Sequence, residues 1–120
     1  MRMFVDVGAV YLHRDAVDFR KSINGLAAIV ELQMQLSPLA DAIFVFCNRH
    51  KTQLKVLYWD KTGFCLWQKR LQQDKFPWPR KHSLTVLNVT SQQWEWLLDG
   101  CDFTQIKTHK PLKIDDNYLF

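Results

Sequence analysis

The sequence predicts a domain of the α+β class, in which an antiparallel sheet of at least three strands packs against one longer helix and a short C-terminal helix. Three observations lead to this prediction. Apolar residues recur at helical spacing over residues 18–35, two aromatic-rich runs flank a turn sequence, and a short amphipathic run ends at a glycine. A chain of 120 residues fits one domain. We expect residues 1–104 to form it and residues 105–120 to be a tail or arm.

The first two predicted elements are a short strand over residues 10–12 and a helix over residues 18–35. Asp18 is the expected N-cap, and Ser37-Pro38 stops the helix. Gly25 inside the helix indicates a close contact there, with strand or partner backbone as candidates. One apolar stripe faces the core and comprises Phe19, Ile23, Leu26, Val30 and Met34.

The next element, residues 43–47, is uniformly apolar and is predicted to be a central strand. A hairpin follows, with residues 60–63 (Asp-Lys-Thr-Gly) at its turn. A three-residue loop with Gly63 at positive φ would place Lys55 opposite Lys69, a repulsive pair that an anion between them would relieve. A looser four-residue turn would shift every pair by one and remains open.

The C-terminal third is expected to contain one more strand and one helix. Two prolines exclude residues 76–79 from a central strand, and residues 84–89 are the next strand candidate. Thr90 or Ser91 caps a helix over residues 92–99, which Gly100 ends. Its buried side is predicted to consist of Trp94, Leu97 and Leu98.

The charge distribution is polarised along the chain. Residues 49–81 contain nine Lys or Arg against two Asp, whereas the rest of the chain has seven basic and ten acidic residues. The net charge of +4 therefore hides a segment of +7. A field of that kind favours a polyanion such as nucleic acid as partner.

Aromatic and basic residues together are typical of nucleic-acid surfaces, in which cations meet phosphates and planar groups stack. Core packing is the favoured interpretation for the tryptophans, and polyanion contact for the basic residues. The Arg20-Lys21 pair opposes the predicted helix dipole, which favours a functional reason for it. The predicted nucleic-acid-binding residues are Arg20, Lys21, Arg49, Lys51, Lys55, Lys69, Arg70, Lys75, Trp78, Arg80 and Lys81.

Signatures of catalysis are missing from the sequence. It has no Gly-rich phosphate loop, nucleophile elbow or His-Glu-x-x-His motif. Cys47 and His50 form a Cys-x-x-His pair without a second ligand pair, so a buried thiol beside a solvated histidine is the favoured interpretation. A nuclease-type triad needs three carboxylates that converge in space, and we expect none. The prediction is a protein without catalytic residues, metal or cofactor.

The sequence also predicts a cytoplasmic protein without membrane contact. Asp6 interrupts the place where the apolar core of a signal peptide would continue. No apolar run approaches the ~20 residues that a bilayer span needs. Three widely spaced cysteines suit reduced thiols better than a disulfide framework.

Several segments, in order, match a family pattern. They are Asp18-Phe-Arg-Lys-Ser-Ile-Asn-Gly-Leu-Ala27, Ile43-Phe-Val-Phe46, Leu54-Lys-Val-Leu-Tyr-Trp-Asp60, Gly63-Phe-Cys-Leu-Trp-Gln-Lys-Arg-Leu71, Phe76-Pro-Trp-Pro79 and Trp96-Leu-Leu-Asp-Gly-Cys-Asp102. Together they resemble the TnpB accessory protein encoded by the second open reading frame of the insertion-sequence 66 family of bacterial transposable elements. The resemblance covers roughly residues 9–103.

The resemblance implies a non-catalytic protein that accompanies a separate DDE transposase and binds DNA, the transposase, or both. The alternative is a protein–protein adaptor that organises the transposase without direct DNA contact. The family motifs fall on Arg20-Lys21, Trp59-Asp60, residues 69–71 and Trp78-Pro79. Ser22, Cys47 and Asn48 depart from the family pattern, as does the longer tail. The sequence leaves open which DNA sequence is recognised. It also leaves open the oligomeric state, and a homo-oligomer is one of the possibilities.

Overall fold

Five strands and two helices make up the part of the chain that the computed structural model describes, residues 8–79 and 84–101. This arrangement confirms the α+β class. The strands form one sheet in the order β4-β3-β2-β1-β5. In chain order the elements are β1 (Val10–His13), α1 (Ile23–Leu32), β2 (Ile43–Cys47), β3 (Gln53–Asp60), β4 (Gly63–Arg70), β5 (Val86–Val89) and α2 (Ser91–Leu98).

The sheet is mixed, which corrects the expectation of purely antiparallel strands. β1 pairs with β2 in parallel, with Val10 beside Ile43, while the other three strand pairs are antiparallel. The parallel pair arises because α1 connects β1 to β2 and carries the chain back to the end of the sheet where β1 began. The uniformly apolar β2 is the central strand, as predicted, and all five of its residues are buried.

Each face of the sheet packs against one helix. Phe44 and Leu57 pack on the α1 side with Leu26. Val45 packs on the other side with Trp94 of α2. Alternate residues along β2 and β3 therefore enter different halves of the core. The predicted covering of the sheet by α1 is correct, but α2 covers the second face, and at ten and eight residues the two helices differ little in length.

Helix α1 is shorter than predicted, and Asp18 is not its N-cap. The helix begins at Ile23 after Ser22 and ends at Leu32. The Asp18 carboxylate instead accepts the backbone N–H of Arg20 at 2.9 Å and so orders a separate turn ahead of the helix. The close contact expected at Gly25 is made by a side chain, since a Cβ atom there would lie 3.2 Å from Cβ of Lys21.

The β3–β4 hairpin has a two-residue loop, and its register differs by one from the predicted pairing. Asp60 pairs with Gly63, and the residue at positive φ is Lys61, at 50°, rather than Gly63. Lys55 therefore lies opposite Gln68, and Lys69 lies opposite Leu54. Because neighbouring residues of a strand point to opposite faces, the two lysines lie on different sides of the sheet. The predicted anion between them is ruled out.

The C-terminal elements follow the prediction closely. Thr90 caps α2 through a capping box with Gln93, and Gly100 takes a φ of 88° just beyond the helix. The predicted buried side of α2 is confirmed, because Trp94, Leu97 and Leu98 are all buried.

Some predictions fall outside the described residues. Arg80, Lys81 and the tail over residues 105–120 belong to this group. Within the part that the structure describes, neither helix has the length and apolar character that a membrane crossing requires.

Candidate nucleic-acid interface

Three loops meet at one end of the sheet, where β1, β2 and β4 finish and β3 begins. They span residues 14–22, 48–52 and 71–79. Backbone hydrogen bonds join them: Val17 N–H donates to the Cys47 carbonyl at 3.0 Å, and Phe76 N–H donates to the Lys51 carbonyl at 2.7 Å. We call these loops, together with the adjoining residues Lys55, Lys69, Arg70 and Asp99, the basic end.

The basic end concentrates positive charge. In the described chain it holds nine basic and four acidic side chains, a formal net charge of +5. The basic members are Arg14, Arg20, Lys21, Arg49, Lys51, Lys55, Lys69, Arg70 and Lys75, and the acidic members are Asp15, Asp18, Asp74 and Asp99. Three acidic side chains, those of Glu31, Asp41 and Asp60, and one basic side chain, that of Lys61, lie toward the opposite end of the sheet. The fold thus turns a charge bias along the sequence into a charge difference between two ends of one molecule.

Asn48 orders the central loop of the basic end. Its side-chain oxygen accepts the backbone N–H groups of Thr52 and Gln53, both at 2.9 Å, and its amide nitrogen donates to the Thr52 hydroxyl at 3.0 Å. Its backbone carbonyl also accepts the N–H of Lys51, which takes a φ of 64°. The buried Asn48 therefore fixes where Arg49 and His50 lie, and both of those residues are exposed.

Replacing Asn48 with alanine is expected to lower the free energy of unfolding by about 1–3 kcal/mol, because two partly buried N–H groups lose their acceptor. Chemical denaturation measures this change. Exchange of Asn48 with aspartate is the matched control, since the acceptor oxygen is kept and most of the stability should remain. An alanine variant as stable as the parent protein would show that the loop does not depend on this side chain.

A groove of about 430 Å³ separates the 48–52 loop from the first loop. Ala16, Val17 and Phe19 line one wall, and Arg49 and His50 line the other. A second groove, of about 710 Å³, lies between the C-terminal end of α2 and residues 71–76. Lys69 and Lys75 both line this second groove. Asp18 also lines the first groove, and Asp74 and Asp99 also line the second, so each groove has both cationic and anionic side chains on its walls.

Lys55 lies inside the fold rather than on the surface of the basic end. It is 8% exposed, and its ammonium group donates to the carbonyls of Phe19 at 2.8 Å and Lys21 at 3.1 Å. The same nitrogen sits 4.9 Å from the centre of the Phe19 ring. Lys55 thus ties the 18–21 turn to the sheet, and its donors point away from any external phosphate.

Trp78 is likewise part of the core, which confirms the favoured interpretation of the tryptophans at this position. It is 5% exposed, and its indole N–H donates to the carbonyls of His13 at 3.2 Å and Arg14 at 2.9 Å. A buried ring offers no open face on which a base could stack. Trp78 instead fixes the proline-flanked segment against the end of β1.

The Arg20-Lys21 pair is exposed at the edge of the basic end, and Arg20 has a carboxylate partner. Its guanidinium contacts Asp18 at 2.7 Å, and this contact lowers the pKa of Asp18 to about 2 while raising that of Arg20. The second ion pair between described residues joins Arg14 to Asp15 at 2.9 Å. Arg49, Arg70 and Lys75 make no ion pair with any described residue.

Cys47 and His50 lie in different environments. Burial raises the pKa of the Cys47 thiol to about 12, while His50 is exposed. The favoured interpretation, a buried thiol beside a solvated histidine, is therefore confirmed. Among residues 8–79 and 84–101, no three His, Cys, Asp or Glu side chains lie close enough to hold a metal ion together.

Of the nine predicted binding residues that the structure describes, seven lie at the surface or rim of the basic end and two are buried. The two buried ones are Lys55 and Trp78. Sequence analysis did not single out Asn48 as the residue that orders the central loop. The available signal was an asparagine directly after a buried strand, a position where its side chain often bonds to backbone N–H groups farther along the chain.

Comparisons with known proteins identify a family for the chain. A family profile described as "IS66 Orf2 like protein" matches residues 8–108. The uncharacterized protein y4jC of Sinorhizobium fredii is 35% identical over 97 residues, which is 81% of each chain. The uncharacterized protein y4hO of the same organism is 32% identical over 106 residues, 88% of this chain and 91% of the relative. No solved structure matches the chain.

Proposed function

Because the chain belongs to the IS66 Orf2-like family of transposition-associated accessory proteins, we propose that it supports transposition by binding DNA through the basic end. The partner would be DNA at the ends of the element, together with the transposase of the same element. We assign the protein no catalytic step. The strand-transfer chemistry would belong to the transposase.

One observation carries the proposal: the 48–52 loop, the end of β4 and the 71–79 loop place exposed cations without an ion-pair partner among the described residues at the same end of the sheet. Arg49 belongs to the middle loop, Arg70 ends β4, and Lys75 belongs to the last loop. All three are exposed and have no carboxylate partner among the described residues. Cations of this kind release counterions when they meet phosphates, which is the main source of sequence-independent affinity for DNA.

The protein's affinity for duplex DNA is expected to fall steeply with salt. Several phosphate contacts should give a slope of log affinity against log salt of about −3 or steeper, since each contact contributes about −0.9. A slope of −3 corresponds to a loss of about 60-fold when salt rises fourfold. Fluorescence anisotropy with a labelled duplex over a series of salt concentrations measures it. An affinity that does not change with salt would refute the proposed contact.

The second candidate function is a protein–protein adaptor that holds the transposase. The observation that favours it is a pair of exposed leucines away from the basic end, Leu32 at the end of α1, 74% exposed, and Leu39, 55% exposed. Apolar side chains in such positions suit a protein partner. Binding of that kind would survive high salt.

A pull-down with the partner transposase separates the two functions. The variant to use carries alanine at Arg49, Arg70 and Lys75, because Lys55 is a buried structural residue and Lys69 donates to the Leu98 carbonyl. If this variant keeps the complex but loses DNA, the DNA-binding function stands. If it keeps both the transposase and its affinity for DNA, the basic end is not the DNA contact and the adaptor function stands.

A further inference from the structure

Strand β4 forms a long outer edge of the sheet. It pairs with β3 over eight residues without a bulge, and no described strand lies on its other side. The opposite edge, β5, has only four residues. Proteins usually shorten an edge strand or protect it with charges, prolines or bulges, because its free backbone groups can pair with another chain. In β4 the charged residues are the last two, Lys69 and Arg70, and there is no proline.

Two hydrogen bonds fix which backbone groups of β4 point outward. Leu71 N–H donates to the Thr52 carbonyl at 2.9 Å, and Asn48 N–H donates to the Gln53 carbonyl at 3.2 Å. In an antiparallel pair, hydrogen-bonded and non-hydrogen-bonded positions alternate. Odd-numbered residues of β4 therefore bond to β3, and the outward N–H and C=O groups belong to Phe64, Leu66, Gln68 and Arg70. Among the described residues, none bonds to these outward groups.

We propose that β4 pairs with β4 of a second copy of this chain, in antiparallel orientation, to form a dimer with a continuous ten-stranded sheet. Outward groups must face outward groups, so the pairing aligns even-numbered residues, with Leu66 of one copy opposite Gln68 of its partner and Phe64 opposite Arg70. The four outward residues of each strand then exchange hydrogen bonds with those of the other.

The charge distribution of β4 allows a second copy to pair with it in the antiparallel direction and disfavours the parallel direction. The positive charges of β4 lie at its C-terminal end, at Lys69 and Arg70, and the first six residues of the strand are uncharged. Antiparallel pairing sets each basic end beside the neutral end of the other strand, whereas parallel pairing would place the four cations side by side at a cost in repulsion. The half-buried Phe64 and Leu66 would also lose further exposed apolar area at such a junction.

The inference goes beyond the proposed DNA contact and does not rest on it. Because β4 runs toward the basic end, antiparallel pairing would place the basic ends of the two copies at opposite ends of the shared sheet. A dimer would then offer two separate cationic surfaces. A monomer that binds DNA would overturn the dimer and leave the proposed function intact.

The test compares Gln68→Pro with Gln68→Ala. Gln68 is exposed and its N–H points outward, so proline removes a donor from the outer edge without breaking the ladder to β3. Both variants lose the side-chain hydrogen bond to Gln53, at 2.7 Å, which makes alanine the matched control. Sedimentation equilibrium should show a doubled mass for the parent protein and for Gln68→Ala, and the single-chain mass for Gln68→Pro.

Amide hydrogen exchange on the unaltered protein gives a second measurement that requires no variant. The N–H groups of Leu66 and Gln68 should exchange slowly at high protein concentration and quickly after dilution, because only the dimer protects them. A monomeric mass at every concentration overturns the inference. So does protection of these amides that is independent of concentration, because a strand of the same chain would then cover the edge.

Discussion

Changing Arg49, Arg70 and Lys75 together to alanine is expected to remove most of the affinity for duplex DNA at low salt. Each lost phosphate contact should also make the salt slope shallower by about 0.9, or about 2.7 for the three residues. The effect should be similar for different DNA sequences, since contacts of this kind are made to the backbone. Anisotropy titrations of the parent and variant proteins, at matched salt concentrations, measure both quantities.

The fold offers a control for this triple variant. Lys61 is exposed at the hairpin turn, at the other end of the sheet, so Lys61→Ala changes the same type of charge away from the basic end. It should leave the salt slope unchanged. All three substituted side chains of the triple variant are exposed, so each should alter the free energy of unfolding by no more than about 0.5 kcal/mol. Equal losses of affinity in the triple variant and in Lys61→Ala would indicate a general charge effect and contradict a localised interface.

Periodicity and turn chemistry were sufficient to predict the α+β class, the central position of β2, and α2 with its cap. The signals for these elements are local: a fully apolar run, a Thr-x-x-Gln capping box, and a glycine after the helix. The parallel pairing of β1 with β2 was not predicted, because strand neighbours depend on how the intervening helix packs. The length of α1 was overestimated, because Asp18 caps a turn that precedes the helix.

The candidate site was predicted in its composition but not in its geometry. A one-residue difference in the hairpin register was enough to move Lys55 and Lys69 to opposite faces of the sheet. The register depended on Lys61 adopting the positive φ that the sequence assigned to Gly63. A glycine in a turn sequence indicates a positive φ at that position, whereas a lysine gives no such indication. The sequence was therefore sufficient to predict which residues make up the basic end. It was not sufficient to predict which of them are buried.

Substitutions at Lys55 test whether a basic residue of this group is structural or binds DNA, since the Lys55 ammonium group donates to backbone carbonyls inside the protein. Substitution with alanine removes the donor to two carbonyls in the 18–21 turn, those of Phe19 and Lys21, together with the contact to the Phe19 ring. Hydrogen bonds to a charged group contribute about 1.5–3 kcal/mol each, so we expect Lys55→Ala to lower the free energy of unfolding by about 3 kcal/mol. Lys55→Met keeps most of the side-chain volume and should cost less. Urea denaturation measures both changes.

The same two variants separate a structural lysine from a DNA-binding one. If Lys55 acts only by holding the 18–21 turn against the sheet, folded Lys55→Met should keep the parent's salt slope for DNA binding, even though its stability is reduced. An exposed cation that meets a phosphate should behave in the opposite way, with unchanged stability and a slope shallower by about 0.9. Arg49→Ala, on the exposed central loop, is expected to give this second pattern. The opposite result would be a shallower salt slope for Lys55→Met and an unchanged slope for Arg49→Ala. The DNA-facing side of the basic end would then have to include the buried Lys55.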